Sequence, residues 1–281
     1  MVTSLALVLG GCSGPSTVDD AAATSAAPLR TSGPLADGFA IEPGSGLIGA
    51  VFPVALPYGG RWQAILNVDG DLRRVFEGYV QQAEGLGYSF DSEPNALERQ
   101  RCRGPEAQDT GAGASEQFLL RCSASGSGPR DVELSIAGSV DEAGDGHVNL
   151  TVRDYSDAPA PTTRPLEGPV APATDVELAP EWTPYGDERS VRVVNGSAVI
   201  YGPDVDPVYG YTVMVQVTGD LTSVMLGYEK QFTGAHFTSR GFTGDRDKPI
   251  LLTSTAGGGD LIAVGVAGEP SFVLITRNND P

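Results

Sequence analysis

Gly70-Asp71-Leu72-Arg73-Arg74-Val75-Phe76-Glu77-Gly78-Tyr79-Val80-Gln81-Gln82 aligns without a gap to Gly219-Asp220-Leu221-Thr222-Ser223-Val224-Met225-Leu226-Gly227-Tyr228-Glu229-Lys230-Gln231. The offset is 219 − 70 = 149, and Gly, Asp, Leu, Val, Gly, Tyr and Gln recur at matching places. Gly85 matches Gly234 at the same offset. Further out, Tyr58-Gly59 is similar to Tyr209-Gly210, and Ile136-Ala137-Gly138 to Val266-Ala267-Gly268. Identity this dense reads as an internal duplication.

The repeated stretch is an amphipathic helix. Leu72, Val75, Phe76, Tyr79, Ala83 and Leu86 fall at spacings of three and four, as do Leu221, Val224, Met225, Tyr228 and Phe232. Asp71 and Asp220 stand where an N-cap belongs, since a carboxylate there accepts from the first free amides. Arg73, Arg74, Glu77, Gln81 and Glu84 take the wet face of the first copy; Thr222, Ser223, Glu229 and Lys230 take that of the second.

Strand-like runs surround each helix. Leu47–Pro53 and Trp62–Val68 precede the first, and Gly87–Phe90, Gln117–Ser123, Val132–Ala137 and His147–Asp154 follow it. In the second copy Val191–Val194 and Ala198–Tyr201 flank an Asn195-Gly196 turn, and then comes Tyr211–Val217. Ala235–Phe242, Ile250–Ser254, Leu261–Ala267 and Ser271–Arg277 follow the second helix. Short turns between consecutive strands imply antiparallel pairing. The expected fold class is α+β: two tandem, duplicated two-layer domains, each one amphipathic helix packed on a mainly antiparallel sheet. The copies are expected at 39–155 and 185–281, joined by a Pro-rich acidic linker at 156–184.

Leu9-Gly10-Gly11-Cys12, directly after the apolar run Leu5–Leu9, resembles the lipobox of bacterial lipoproteins. Small residues fit a narrow peptidase cleft, and a thiolate is needed to take a diacylglyceryl group. The resemblance covers only the first dozen residues. It implies a signal peptide over 1–12, a lipidated Cys12 carrying acyl chains such as palmitate, and a body at the outer face of the cell membrane. Met1-Val2-Thr3-Ser4 carries no Lys or Arg, so a basic segment is expected upstream of Met1. Residues 13–38, rich in Ala, Ser, Thr, Pro and Gly, read as a disordered tether reaching about 25–30 Å.

The net charge of −18 disfavours nucleic acid and anionic lipid surfaces as partners of the body. With Cys12 assigned to lipid, Cys102 and Cys122 remain and are expected to form a disulfide. Arg99, Arg101 and Arg103 alternate beside Cys102, either as a charged edge strand that resists aggregation or as a receptor for an anionic ligand. Gly78 and Gly227 each cost a helix about 1 kcal/mol. They imply close packing beside Tyr79 and Tyr228, or a groove floor under a ligand.

Catalytic patterns are sparse. His147 and His236 are the two histidines and the duplication does not pair them; no zinc spacing, nucleophile elbow or P-loop occurs. Asn67, Asp69 and Asp71 lack calcium-loop spacing and read as a capped turn, and Asp204 and Asp206 read as a rigid acidic loop. The expectation is a non-catalytic binding or scaffold module of the cell envelope, with no cofactor and no metal, and with an envelope protein, glycan or lipid as partner. The alternatives are a lipid or glycolipid carrier, whose helix and sheet part around a greasy cavity, and an envelope hydrolase working with carboxylates alone.

Overall fold

Trp62–Val68 places Trp, Ala, Leu and Val on one face and Gln, Ile and Asn on the other, and a period of two of this kind gives a strand two distinct surfaces. The computed structural model describes residues 29–54, 61–90, 102–104, 119–129, 132–141, 144–154, 163–178, 191–206, 210–235, 237–243, 250–254 and 259–279. Cys12, His236, Arg99 and Arg101 lie outside them.

The described chain is mostly antiparallel sheet with two helices. Its first part runs β1 (Leu29–Arg30), β2 (Ser45–Ile48), β3 (Trp62–Val68), α1 (Leu72–Gly85), β4 (Ser89–Phe90), β5 (Cys102–Arg103), β6 (Leu120–Ser127), β7 (Val132–Val140) and β8 (Gly146–Asp154). These strands form one sheet ordered β1-β2-β3-β8-β7-β6-β4, with β5 also paired to β6. The second part runs β9 (Ala173–Glu177), β10 (Arg192–Val194), β11 (Ser197–Asp206), β12 (Gly210–Val217), α2 (Leu221–Gly234), β13 (Thr238–Thr243), β14 (Ile250–Ser254), β15 (Gly259–Val266) and β16 (Ser271–Asn279). Its main sheet is ordered β11-β12-β16-β15-β14-β13, and β9 pairs with β10 apart from it.

Both sheets follow one path. The strand before each helix, β3 or β12, lies between its predecessor and the last strand of its own part. The order then runs backwards to the strand after the helix. Ladder registers tie Ala64 to Leu150 and Leu150 to Ile136, and likewise Val213 to Ile275 and Ile275 to Ala263. Ile136 is therefore level with Ala263, three residues from the Val266 that local sequence likeness had selected. Strands carry only a period of two, so short apolar matches slide along them.

Each helix begins as the carboxylates dictate: Asp71 accepts from the amides of Arg73 and Arg74, and Asp220 from that of Ser223. The apolar stripe of α1 meets Leu66, Leu134, Ile136, Val148 and Leu150 of its sheet. That of α2 meets Val213, Val215, Leu261, Val273 and Ile275.

A third core joins the opposite faces of the two sheets, an arrangement beyond the expected pair of two-layer units. Ile48, Phe52 and Ile65 from the first sheet pack on Met214, Ile262, Val264, Phe272 and Leu274 of the second. At Gly49 the main chain comes so near that an added Cβ would lie 2.5 Å from Met214 Sδ. Among the described residues, β2, β3 and the turn after β2 supply this apolar contact from the first sheet. The same face of β6, β7 and β8 carries Ser, Thr, Asn and Ala together with Arg121, Glu133, His147 and Arg153, all exposed or half-buried.

Part of the expected tether and part of the expected linker pack on the folded body. Leu29 and Arg30 pair with Ile48 and Leu47, and the Asp37 carboxylate accepts from Trp62 Nε1 and Arg61. Residues 163–178 lie across α2. Arg164 bridges to Phe242, Leu166 packs against the core, and the Ala171 amide donates to the Ser223 carbonyl. Leu178 is buried at the far end of this strap. Asp204 and Asp206, expected in a loop, sit in β11, where their backbones pair with Thr212 and Gly210.

Candidate functional site

The repeated Gly-Tyr-x-x-Gln of the helices builds one hydrogen-bonded arrangement twice. Tyr79 is fully buried; its hydroxyl bonds Ser45 Oγ at 2.9 Å and accepts from the Glu42 amide at 3.1 Å. Ser45 Oγ also donates to the Glu42 carbonyl. In the second part Tyr228 bonds Ser197 Oγ at 3.2 Å and accepts from the Val194 backbone, and Ser197 Oγ donates to the Val194 carbonyl at 2.7 Å. One turn later Gln82 exchanges two bonds with the backbone of Ala40, and Gln231 does the same with Arg192. The helix offset is 149 and the partner offset is 45 to 197, 42 to 194 and 40 to 192, each 152. Both helices thus fasten the segment before their first long strand with the same side chains.

These contacts say why a glycine precedes each tyrosine. A Cβ at Gly78 would meet the Glu42 side chain at 2.6 Å, and one at Gly227 would meet the Ala171 carbonyl oxygen at 2.6 Å and Val194 Cγ1 at 2.7 Å. Close approach of a neighbouring chain is what the missing side chain permits. Burial pushes the Tyr228 phenol up to about 12, against the opposing pull of its Ser197 and Val194 bonds. Burial likewise raises Tyr79. Such phenols stay neutral and serve as packed hydrogen-bond partners, and Gly78, Tyr79, Gly227 and Tyr228 face these neighbours.

Cys102 and Cys122 are joined by a disulfide between directly opposed residues of β5 and β6. Their sulfurs lie on the helix side, in the first core. Alternation therefore turns Arg103 to the other face. There it stands opposite Arg121, which stands opposite Ser139, which stands opposite His147. The two arginines are exposed, while Ser139 and His147 are half-buried. The His147 ring meets Tyr201 of the second part edge-on, with centroids 4.9 Å apart. In sequence Arg103 sits with its chain neighbours Arg99 and Arg101; Arg121, Ser139 and His147 come alongside it only through strand register.

Asp71 is used as a helix cap, and the Asp69 amide donates to the Gly44 carbonyl at 2.8 Å. Among the described residues, no group of three or more His, Cys, Asp or Glu side chains is placed to hold a metal ion. Among them, no helix is long and apolar enough to cross a membrane. No protein-family model matches the chain, and no curated protein matches it.

Proposed function

We propose that this chain is a lipid-anchored protein of the bacterial cell envelope that works outside the membrane as a non-catalytic binding or scaffold module, and that its two helix-on-sheet parts descend from one duplicated unit. The observation that carries the reading is the cysteine arithmetic. Of three cysteines, Cys102 and Cys122 are joined to each other, which leaves Cys12 alone beside Gly10 and Gly11 at the end of an apolar run. A structural disulfide is favoured in oxidising compartments. The duplication is supported by the common strand order and by the twice-built Tyr–Ser and Gln–backbone contacts. The non-catalytic part is supported by what the repeated polar residues do: they fasten the chain to itself.

Intact mass spectrometry of the native protein, fractionated with and without detergent, tests this. The expected result is a chain beginning at Cys12, heavier by a diacylglyceryl group, that moves to the detergent phase. A Cys12→Ser variant is expected to stay with the aqueous phase. An unmodified chain in the cytosolic fraction overturns the proposal.

A further inference from the structure

We infer that the Asn195-Gly196 turn is a self-modifying site: it converts to aspartate and isoaspartate, and the isoaspartate form loosens the strap 163–178 from α2. The inference goes beyond the binding reading above and holds whether or not Cys12 carries lipid. Among Asn67, Asn95, Asn149, Asn195, Asn278 and Asn279, only Asn195 is followed by glycine. Asparagine is thermally labile, because the next residue's amide nitrogen attacks its side-chain carbonyl carbon. A glycine, with no Cβ, leaves that nitrogen unshielded.

The fold leaves both reacting groups open. Asn195 is exposed in the turn between β10 and β11. Among the described residues its side chain takes no hydrogen bond, and the Gly196 amide donates none. The turn is held through other atoms: the Asn195 amide donates to the Pro172 carbonyl at 2.8 Å, and the Gly196 carbonyl accepts from Thr218 and Gly219. Asn149 differs on each count. It lies within β8, is followed by Leu150, and has its side-chain carbonyl held by Gln63 Nε2 at 3.1 Å. Asn67 lies within β3, opposite His147, and is followed by the branched Val68. The matching turn of the first part is Pro43-Gly44, at the offset of 152 that relates Ser45 to Ser197. Gly44 has φ 89° and Gly196 φ 84°, so the turn is repeated, but proline has no side-chain amide. The chemistry is confined to the second part.

The step needs only water. The Gly196 nitrogen gives up its proton and bonds to Asn195 Cγ, the Cγ–Nδ2 bond breaks, and ammonia leaves. Water then opens the five-membered imide at either carbonyl. One opening yields aspartate and keeps the main chain as it was. The other yields isoaspartate, whose main chain passes through the former Cβ and gains one carbon before Gly196. That extra carbon enters a tight turn in which Ser197 Oγ donates to the Val194 carbonyl at 2.7 Å. The same residue holds the strap at Pro172, beside the Ala171 amide that donates to the Ser223 carbonyl at 3.1 Å. Lengthening the turn pulls these bonds out of register, and the strap is fastened at the residue being rebuilt.

The test ages the full chain under folding conditions at mildly alkaline pH and follows it by peptide mass spectrometry and amide hydrogen exchange. The peptide containing Asn195 is expected to gain one mass unit and split into aspartate and isoaspartate forms while Asn67 and Asn149 stay intact. In the aged protein the Ala171 amide is expected to exchange at least about tenfold faster than in fresh protein. Asn195→Ala removes the carbonyl under attack and keeps the main chain, so its strap amides are expected to exchange alike before and after ageing. Asn195→Asp, made directly, has the normal main chain and is expected to match the fresh parent. An Asn195 that outlasts Asn67 or Asn149 overturns the site. Conversion to isoaspartate with Ala171 exchange unchanged, or equal acceleration in aged Asn195→Ala, overturns the loosening of the strap.

Discussion

The two helices share their caps, their tyrosines and their glutamines, but their outer faces are covered differently. On α1 the outward positions are Arg73, Arg74 and Glu77, all exposed. At the same places α2 has Thr222, Ser223 and Leu226, and the strap 163–178 runs over them: Gly168 lies above Thr222 and Leu226, and Ala171 is bonded to Ser223. Three differences at matched positions thus separate a solvated helix face from one that accepts a further layer of chain. The first part compensates elsewhere, with a disulfide that the second part has no cysteines to make.

Exchanging one residue between the faces is the harshest way to break this comparison. Leu226 is nearly buried in the second core, so Leu226→Glu loses apolar burial and sets a carboxylate under the strap. A loss of about 4 kcal/mol is expected in urea unfolding. The reverse exchange, Glu77→Leu, adds an exposed apolar residue and is expected to change stability by less than about 1 kcal/mol. Equal effects would mean that the strap does not cover α2 in solution. Next in size is the crosslink. Replacing Cys102 and Cys122 together by Ala opens a loop with a sequence separation of 20 and is expected to cost about 3 kcal/mol. Reducing agent should destabilise the parent protein by a similar amount in urea unfolding and leave the double variant unchanged.

The buried phenols distinguish the parts by pH. Tyr228 is pushed up to about 12 by burial, while an unfolded chain ionises its tyrosines near 10. The neutral, buried form therefore supports the fold fully below pH 10. That support is lost as pH rises from 10 through 12, by a total of about 3 kcal/mol. Urea midpoints measured from pH 8 to 12 should fall steeply above 10. In Tyr228→Phe the unfolding free energy is expected to start about 1–2 kcal/mol lower at pH 8, because Ser197 and the Val194 amide lose their partner, and then to fall less steeply. An unchanged alkaline slope in that variant would move the effect to other tyrosines.

Much of this architecture is written in local sequence. The helices, their Asp caps, most strands and the disulfide follow from spacing, capping chemistry and cysteine count. What escaped is long-range. Residues 29–38 and 163–178 have the small, Pro-rich composition of loose chain, and they are ordered by main-chain bonds to β2 and α2 that composition does not record. Ile65, Met214 and Leu274 are spaced as second-face residues, but nothing in either strand says that the two second faces meet. Arg103 and Arg121 are 18 positions apart (121 − 103), so their opposition depends on which strands pair and in what register. Asp204 and Asp206, flanked by prolines, read as a rigid acidic loop, and Pro lacks a ladder donor. On β11, an edge strand of the second sheet, that deficit is tolerated.

The smallest expected effect gives the finest contrast, because it compares one substitution at two matched positions. Alanine in place of a mid-helix glycine gains about 1 kcal/mol of helix propensity wherever the space allows it. At Gly78 the obstacle is the end of the Glu42 side chain, which can swing aside at the cost of its bond from Gln82. Gly78→Ala is therefore expected to leave stability within about 1 kcal/mol of the parent. At Gly227 the obstacle is the Ala171 carbonyl oxygen on one side and the branched Val194 on the other. Backbone does not swing aside. The strap must lift and strain its bond from Ala171 to Ser223, so Gly227→Ala is expected to cost about 2 kcal/mol. Shortening Val194 to Ala in the same chain should recover only a minor part, since the carbonyl contact stays. Full recovery would locate the tight contact at Val194 rather than at the strap, and the comparison between the two helices would then rest on one side chain.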